Sequence, residues 1–96
     1  MKISLVQMNP TVGAVRENAA KIRDFAQMAA ESGAEIVVFP ELALCGYPPD
    51  DLVLRPRFMD AVEAEADKLA GELPKGVLTI FGAPLRADGQ LFNTAL

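Results

Sequence analysis

Apolar and polar residues follow two different periods along this chain, one typical of strands and the other of helices. Residues 14–32 and 56–73 repeat apolar side chains every three or four positions, which predicts two amphipathic helices. Short apolar runs, each predicting a β-strand, occupy residues 3–8, 36–39, 77–81 and 91–96. The predicted order is β-α-β-α-β-β, an α/β fold with a mixed sheet.

Each predicted helix has one apolar stripe and a recognisable end signal. The stripe of the first helix consists of Val15, Ala19, Ile22, Ala26 and Ala29. The stripe of the second consists of Phe58, Val62, Ala66, Leu69 and Leu73. Gly33 is placed to end the first helix as its C′ residue, and Pro56 suits the first turn of the second. Charged residues on the opposite faces indicate that each helix packs through one side.

The strands at 3–8 and 36–39 flank the first helix, so they are expected to be parallel and joined by a right-handed crossover. Residues 36–39 are four consecutive large apolar residues, which predicts a strand buried on both faces. Two helices cannot cover both faces of such a sheet. We therefore expect residues 1–96 to be the amino-terminal portion of a larger domain, the alternative being a complete domain that ends in an edge strand.

The end of the chain predicts a hairpin. The third apolar run continues through Gly82 towards Leu85, and the dipeptide Asp88-Gly89 is a strong turn signal before the fourth run.

Composition and charge exclude several classes of function. The chain has 96 residues, a formal charge of −4 and no Lys/Arg cluster, which argues against binding to nucleic acid or to an anionic membrane. One cysteine cannot form an internal disulfide, which fits a cytoplasmic protein. Histidine is absent, so Ser-His-Asp and Cys-His catalysis within this chain and a zinc site are not expected. Glycine-rich phosphate loops are also absent from the sequence.

Glu41 is the candidate catalytic residue. It directly follows Pro40 at the carboxyl end of the strand at 36–39, the edge of an open α/β sheet where ligands bind. Its neighbours are apolar, so we expect a desolvated carboxylate that accepts a proton near neutral pH, as a general base does. The alternative is a glutamate that closes the loop by accepting backbone N–H bonds, and spacing alone leaves both interpretations open.

Two further residues of this loop carry reactive or polar groups. Cys45 is four residues from Glu41, but no cation is near it in sequence, which favours a small buried packing residue over a nucleophile. Tyr47 precedes two prolines and is a candidate to line a substrate pocket, although packing beneath the loop is an equally ordinary role.

Other polar residues near the sheet edge have structural explanations. Asp50 and Asp51 are adjacent and lack a third oxygen ligand, so we predict that they cap the segment 52–54 and bind no metal. Asn93 is expected to tie strand ends together.

The order of these motifs resembles a known family. The first strand ends in Val6-Gln7-Met8-Asn9-Pro10, and the residues that follow include Val12-Gly13, Asn18 and Lys21-Ile22. With Phe39-Pro40-Glu41-Leu42-Ala43-Leu44-Cys45-Gly46-Tyr47, this order is similar to the nitrilase (carbon–nitrogen hydrolase) superfamily. The extension Pro48-Pro49-Asp50-Asp51-Leu52 resembles more specifically the glutaminase domains of bacterial glutamine-dependent NAD⁺ synthetases. Gly82-Ala83-Pro84 and Leu91-Phe92-Asn93-Thr94-Ala95 match the next two strands.

The resemblance implies a fold and a mechanism. The fold is a four-layer α-β-β-α sandwich, and the catalytic set is Glu-Lys-Cys, which hydrolyses glutamine through a thioester. Glu41 takes the glutamate role, and Tyr47 matches a position near the glutamine pocket. The lysine and cysteine of the family lie downstream of residue 96, so Cys45 is not the nucleophile and the isolated chain is expected to be inactive. Ala14 departs from the acidic helix cap common in the family.

Partners and cofactors also follow from the resemblance. Ammonia from glutamine would pass to a separate domain, where ATP and Mg²⁺ support the amidation of nicotinic acid adenine dinucleotide, and no cofactor is expected in residues 1–96. Homo-oligomers are common in the family. Two alternatives stay open: another nitrilase-type amidase, and a non-catalytic α/β module in which Glu41 is structural.

Overall fold

The computed structural model describes residues 1–87 and 89–96, and the side chains of these except Asp50 and Asp51. The strands are β1 (Ile3–Leu5), β2 (Ile36–Val38), β3 (Leu78–Ile80), β4 (Gly82–Ala87) and β5 (Gln90–Ala95). The helices are α1 (Val15–Glu31) and α2 (Pro56–Glu72), with a 3₁₀ segment at Asp50–Leu54. The α/β class and the order of elements are confirmed. The 3₁₀ segment begins at Asp50 itself, with Pro49 as its N-cap. The side chains of Asp50 and Asp51, on which the predicted capping depends, and the turn residue Asp88 lie outside the described set.

Helix α1 ends as its sequence predicts. Gly33 has a φ of 93°, which glycine adopts without a Cβ penalty. Its N–H donates to Ala30 O at 3.0 Å, and the Ala34 N–H donates to Ala29 O at 3.0 Å. These two bonds are the Schellman pattern, which satisfies carbonyls that the helix leaves free. The other end has Ala14 as its N-cap with no side-chain cap bond, in agreement with the missing acidic cap.

The core contains the predicted apolar stripes with one change. All five stripe residues of α1 are buried, as are Val62, Ala66 and Leu69 of α2. Phe58 and Leu73 are only partly buried, whereas Met59 is 1% exposed. The buried face of α2 is thus rotated towards Met59 at its amino-terminal end.

The sheet is divided, and the expected mixed sheet does not form. Strands β1, β2 and β3 pair in parallel in that order, and β4 and β5 form a separate antiparallel hairpin. The chain passes from one to the other at Phe81, whose N–H donates to Leu96 O at 3.0 Å and whose carbonyl accepts from Leu96 N at 2.8 Å. The predicted single run from residue 77 to Leu85 is therefore two strands.

One face of the parallel sheet is open. Val37 is fully buried in the core that both helices share, but the neighbouring Ile36 and Val38 point the other way and are only partly buried. The same face carries Ile3, which is 54% exposed, and Leu5, which is 77% exposed. Within the described residues β2 is therefore buried on one face only, and no described element covers its second apolar face, as expected of a sheet with two helices.

Ion pairs join α2 to the hairpin. The guanidinium of Arg86 in β4 bonds Glu63 through Nη2 at 2.7 Å and through Nε at 3.1 Å, and Asp60 at 2.7 Å. The side-chain hydrogen bond from Arg86 lowers the pKa of Glu63, and the same contact raises the pKa of Arg86. The groups are largely exposed, so their role is to orient the hairpin and not to add much stability.

Candidate active site

The loop after β2 begins where regular pairing ends. The Phe39 N–H still donates to Ile80 O at 2.8 Å, but Pro40 has no N–H to continue the ladder. The chain then turns tightly, with Ala43 N–H donating to Pro40 O at 3.2 Å and Gly46 N–H to Leu42 O at 2.8 Å. Glu41 therefore lies at the carboxyl edge of the parallel sheet, as predicted.

Leu42 has an unusual backbone conformation directly after the candidate carboxylate. Its φ is 49°, a left-handed value that costs a residue with a Cβ about 1–2 kcal/mol. Leu42 through Cys45 are all 6% exposed or less, whereas Glu41 is exposed. The reversal at Leu42 turns four side chains into the core and leaves the carboxylate outside. The apolar setting that we expected for Glu41 is therefore absent in the described chain.

Asn93 is the hydrogen-bond partner of Glu41. Its Nδ2 donates to Glu41 Oε1 at 2.7 Å, although the two residues are 52 positions apart in sequence. Both line a cavity of about 340 Å³ whose walls come from the ends of β2, β3 and β5. Among the described ion pairs, none involves Glu41. The carboxylate is therefore held by a neutral donor and faces an open cavity.

Gly82 allows the hairpin to approach this loop. A β-carbon at this position would overlap the Leu42 backbone nitrogen and lie 3.0 Å from Pro40 O. The carbonyl of Gly82 accepts the Leu44 N–H at 3.2 Å. The absence of a side chain at residue 82 thus sets the distance between β4 and the loop that carries Glu41.

Asn18 holds the loop from the opposite side. This residue of α1 is fully buried, and its Nδ2 donates to Thr11 O at 2.8 Å and to Leu44 O at 3.1 Å. Its Oδ1 accepts the Thr11 N–H at 3.0 Å. Helix α1, the loop after β1 and the loop after β2 are therefore joined by one amide.

Of the other two candidate residues of the loop, Tyr47 is exposed and Cys45 is buried. Tyr47 is 63% exposed and is not among the residues that line the cavity beside Glu41, so its substrate role stays a prediction. Cys45 is fully buried, and desolvation raises the pKa of its thiol to about 11. A thiol in that state is a poor nucleophile, which agrees with the predicted packing role.

Sequence reasoning missed two residues at this site. The sequence indicates Asn18 only through the family resemblance, yet its position between Val15 and Ile22 on the buried stripe is a usable signal, because a buried amide must find partners. For Gly82 the sequence indicates only a place in the third apolar run and in the motif Gly82-Ala83-Pro84. Asn93 was expected to tie strand ends, but no sequence signal connects it with Glu41.

A larger cavity of about 760 Å³ lies between α2 and β3. Its walls include Leu73, Val77 and Phe81, together with Thr79, whose buried Oγ1 has no hydrogen-bond partner among the described residues. It contains none of the predicted site residues, so volume alone does not identify the site.

The described residues hold neither a cluster of metal ligands nor a membrane-spanning helix. No group of three or more Cys, Asp or Glu side chains in this part of the chain is arranged to hold a metal ion. No helix within residues 1–87 and 89–96 is long and apolar enough to cross a membrane.

The parallel sheet, the cavity at its carboxyl edge and the glutamate after a Phe-Pro strand end define an α/β domain whose candidate active site lies at that edge of the sheet. The carbon-nitrogen hydrolase family matches residues 2–96, and the chain belongs to this family. Among curated proteins, it is similar to the glutamine-dependent NAD(+) synthetase of Synechocystis sp., with 48% identity over 98% of this chain. The chain spans 18% of the length of that relative.

The solved structures similar to this chain include glutamine-dependent NAD+ synthetases and an amidase. The glutamine-dependent NAD+ synthetase of Acinetobacter baumannii superposes with a TM-score of 0.89 and 32% identity, covering 97% of this chain and 18% of that one. An amidase from Nesterenkonia sp. gives a TM-score of 0.79 and 26% identity, covering 99% of this chain and 36% of that one. The chain is therefore similar to the first part of glutamine-dependent NAD⁺ synthetases, and the fold predicted from the resemblance is confirmed at the level of its α/β class.

Proposed function

We propose that residues 1–96 are the amino-terminal portion of a glutaminase domain that releases ammonia from glutamine for NAD⁺ synthesis. The observation that carries the proposal is the position of Glu41, at the sheet edge, open to a cavity and held by an amide donor. The 48% identity with a glutamine-dependent NAD(+) synthetase supports the choice of glutamine. The second half of the four-layer sandwich would cover the exposed face of β1–β3.

In the proposed mechanism, Glu41 is the general base. It removes the proton from a cysteine thiol supplied by polypeptide beyond residue 96, and the thiolate attacks the amide carbon of glutamine. A lysine from the same region stabilises the tetrahedral oxyanion. The carbon–nitrogen bond breaks, ammonia leaves with the proton from Glu41, and water hydrolyses the thioester to glutamate and free thiol. One structure of an E41L variant of the Nesterenkonia amidase shows covalent addition of the acetamide moiety of fluoroacetamide at the active site cysteine, which supports a cysteine nucleophile in that enzyme.

The site would interact with a glutamine substrate and supply ammonia to a second domain. Tyr47 would contact the glutamine substrate through its exposed ring and hydroxyl. Ammonia would then be used in a separate ATP- and Mg²⁺-dependent domain that amidates nicotinic acid adenine dinucleotide. No cofactor would bind within residues 1–96, and the whole protein would be a cytoplasmic homo-oligomer.

The proposal is tested in the complete polypeptide that contains residues 1–96. Glu41→Gln should reduce glutamine-dependent NAD⁺ formation by about 10²- to 10⁴-fold, the usual contribution of a general base. NAD⁺ formation from added ammonia should change by less than about twofold. Glu35→Gln is the matched control, because Glu35 is exposed near the opposite end of β2. Equal losses with both nitrogen sources, or full glutaminase activity in Glu41→Gln, would contradict the proposal.

A second candidate is an amidase that acts on short amides, favoured by the similarity to the Nesterenkonia enzyme, which has been solved with acrylamide and with butyramide. Comparing kcat/KM for glutamine and butyramide separates the two candidates. Hydrolysis of neither amide would favour the non-catalytic module.

A further inference from the structure

We infer that Asn93 is a positioning residue for the proposed general base, holding one oxygen of Glu41 so that the other faces the cavity. This inference rests on the proposed function. An ionised carboxylate can only accept hydrogen bonds, so the group that faces it at 2.7 Å must be the Nδ2 donor of the amide. A bond of this length to an ionised acceptor belongs to the stronger class of hydrogen bonds.

The bond uses one oxygen of the carboxylate. Oε1 accepts from Asn93, and within the described part of the chain no donor lies against Oε2. The free oxygen is the one available to take a proton. Because the donor is neutral, it orients the carboxylate without forming an ion pair that would withdraw it from proton transfer.

The position of Asn93 is set by the pairing of β5 with β4. Strand β5 is in register with β4, with Asn93 opposite Pro84 and Thr94 opposite Ala83. The Thr94 hydroxyl also donates to the Ala83 carbonyl at 2.6 Å. The hairpin in turn meets the loop at Gly82, where there is no room for a β-carbon.

Glu41 is equally constrained from its own side. The left-handed Leu42 and the buried residues after it fix where the carboxylate leaves the backbone. Strained conformations of this kind are often found at functional sites. The loop and the hairpin, distant in sequence, also meet where the Leu44 N–H donates to the Gly82 carbonyl, and this contact brings Asn93 and Glu41 into one side-chain hydrogen bond, which is the geometry of a positioning contact.

Two isosteric variants in the complete polypeptide test the inference by their glutaminase kinetics. Asn93→Leu keeps the branched shape and removes the donor, and we expect kcat/KM for glutamine to fall about 10- to 100-fold, mostly in kcat. Asn93→Asp keeps the shape and places a second carboxylate beside the first. Like charges disfavour ionisation, so the acid limb of its kcat/KM–pH profile should move to higher pH. Gln90→Glu makes the same amide-to-carboxylate change at the other end of β5 and should leave the profile unchanged.

The outcomes separate this inference from the proposed function. If Glu41→Gln abolishes glutaminase activity while both Asn93 variants stay within twofold of the parent, the positioning role is wrong and the general base stands. If activity falls but the acid limb does not move in Asn93→Asp, the role of Asn93 is structural, and the inference is again wrong. Should Asn93→Asp unfold, Asn93→Leu decides by its kcat, and a Leu variant that also fails to fold overturns the inference. Retained activity in Glu41→Gln instead removes the proposed function itself.

Discussion

Replacement of Asn18 by leucine tests whether one buried amide holds the loop that carries Glu41. Leucine has a similar branched shape, so the change removes three hydrogen bonds with little change in volume. The three bonds join Asn18 to the Thr11 N–H, the Thr11 carbonyl and the Leu44 carbonyl.

The expected loss in the free energy of unfolding depends on whether each former partner of Asn18 can form another hydrogen bond. Leu44 is fully buried, so its carbonyl would lose its partner without gaining water, at a cost of about 1–3 kcal/mol. Thr11 is exposed, and its carbonyl also accepts from Ala14 N at 3.1 Å, so its two bonds together contribute about 1 kcal/mol. The free energy of unfolding should therefore fall by about 2–4 kcal/mol, a large part of the 5–15 kcal/mol typical of a domain.

Urea denaturation followed by circular dichroism measures this loss. The matched control is Gln27→Leu, which removes an amide from the exposed side of the same helix, where it bonds Glu31 at 3.2 Å. We expect the control to change the free energy of unfolding by less than about 0.5 kcal/mol. A loss below about 1 kcal/mol in Asn18→Leu, or an equal loss in the control, would refute the reasoning.

Two further predictions concern the same loop. Gly82→Ala should lower the free energy of unfolding by about 1–3 kcal/mol, because the new methyl group overlaps the backbone at Leu42. The control Gly71→Ala in α2 meets none of the described atoms within 4 Å and should raise the free energy of unfolding by about 0.5–1 kcal/mol. Urea titration of both variants measures these changes, and equal effects would contradict the prediction. The pKa of Cys45 is raised from 9.0 to about 11 in the folded chain, so its contribution to stability is complete below pH 9 and is lost as the pH rises through about 11. Denaturation midpoints across this range should show a decline that Cys45→Ala lacks, and an identical decline in both proteins would show that another group is responsible.

The amino-acid sequence alone determined the local features of this protein. The stripe of α1, the stop at Gly33 and the order of strands and helices all follow from periods and propensities that act within a few residues. The burial of Cys45 also followed from local reasoning, since no cation lies near it in sequence to favour a thiolate. The position of Glu41 at the end of β2 was equally accessible, because a proline after an apolar run ends regular pairing.

Only the tertiary structure decided which distant groups meet and which surfaces are covered. The contact between Asn93 and Glu41 spans 52 residues and depends on the register of β5 with β4 and on the close approach at Gly82. Glu41 is exposed although its neighbours are apolar, because the left-handed Leu42 reverses the chain. The apolar run at 36–39 predicted a sheet face that the two helices cannot cover. Hydrophobic patterning does not specify what packs on such a face, so which residues lie on the open face of β1–β3 was decided by the tertiary structure.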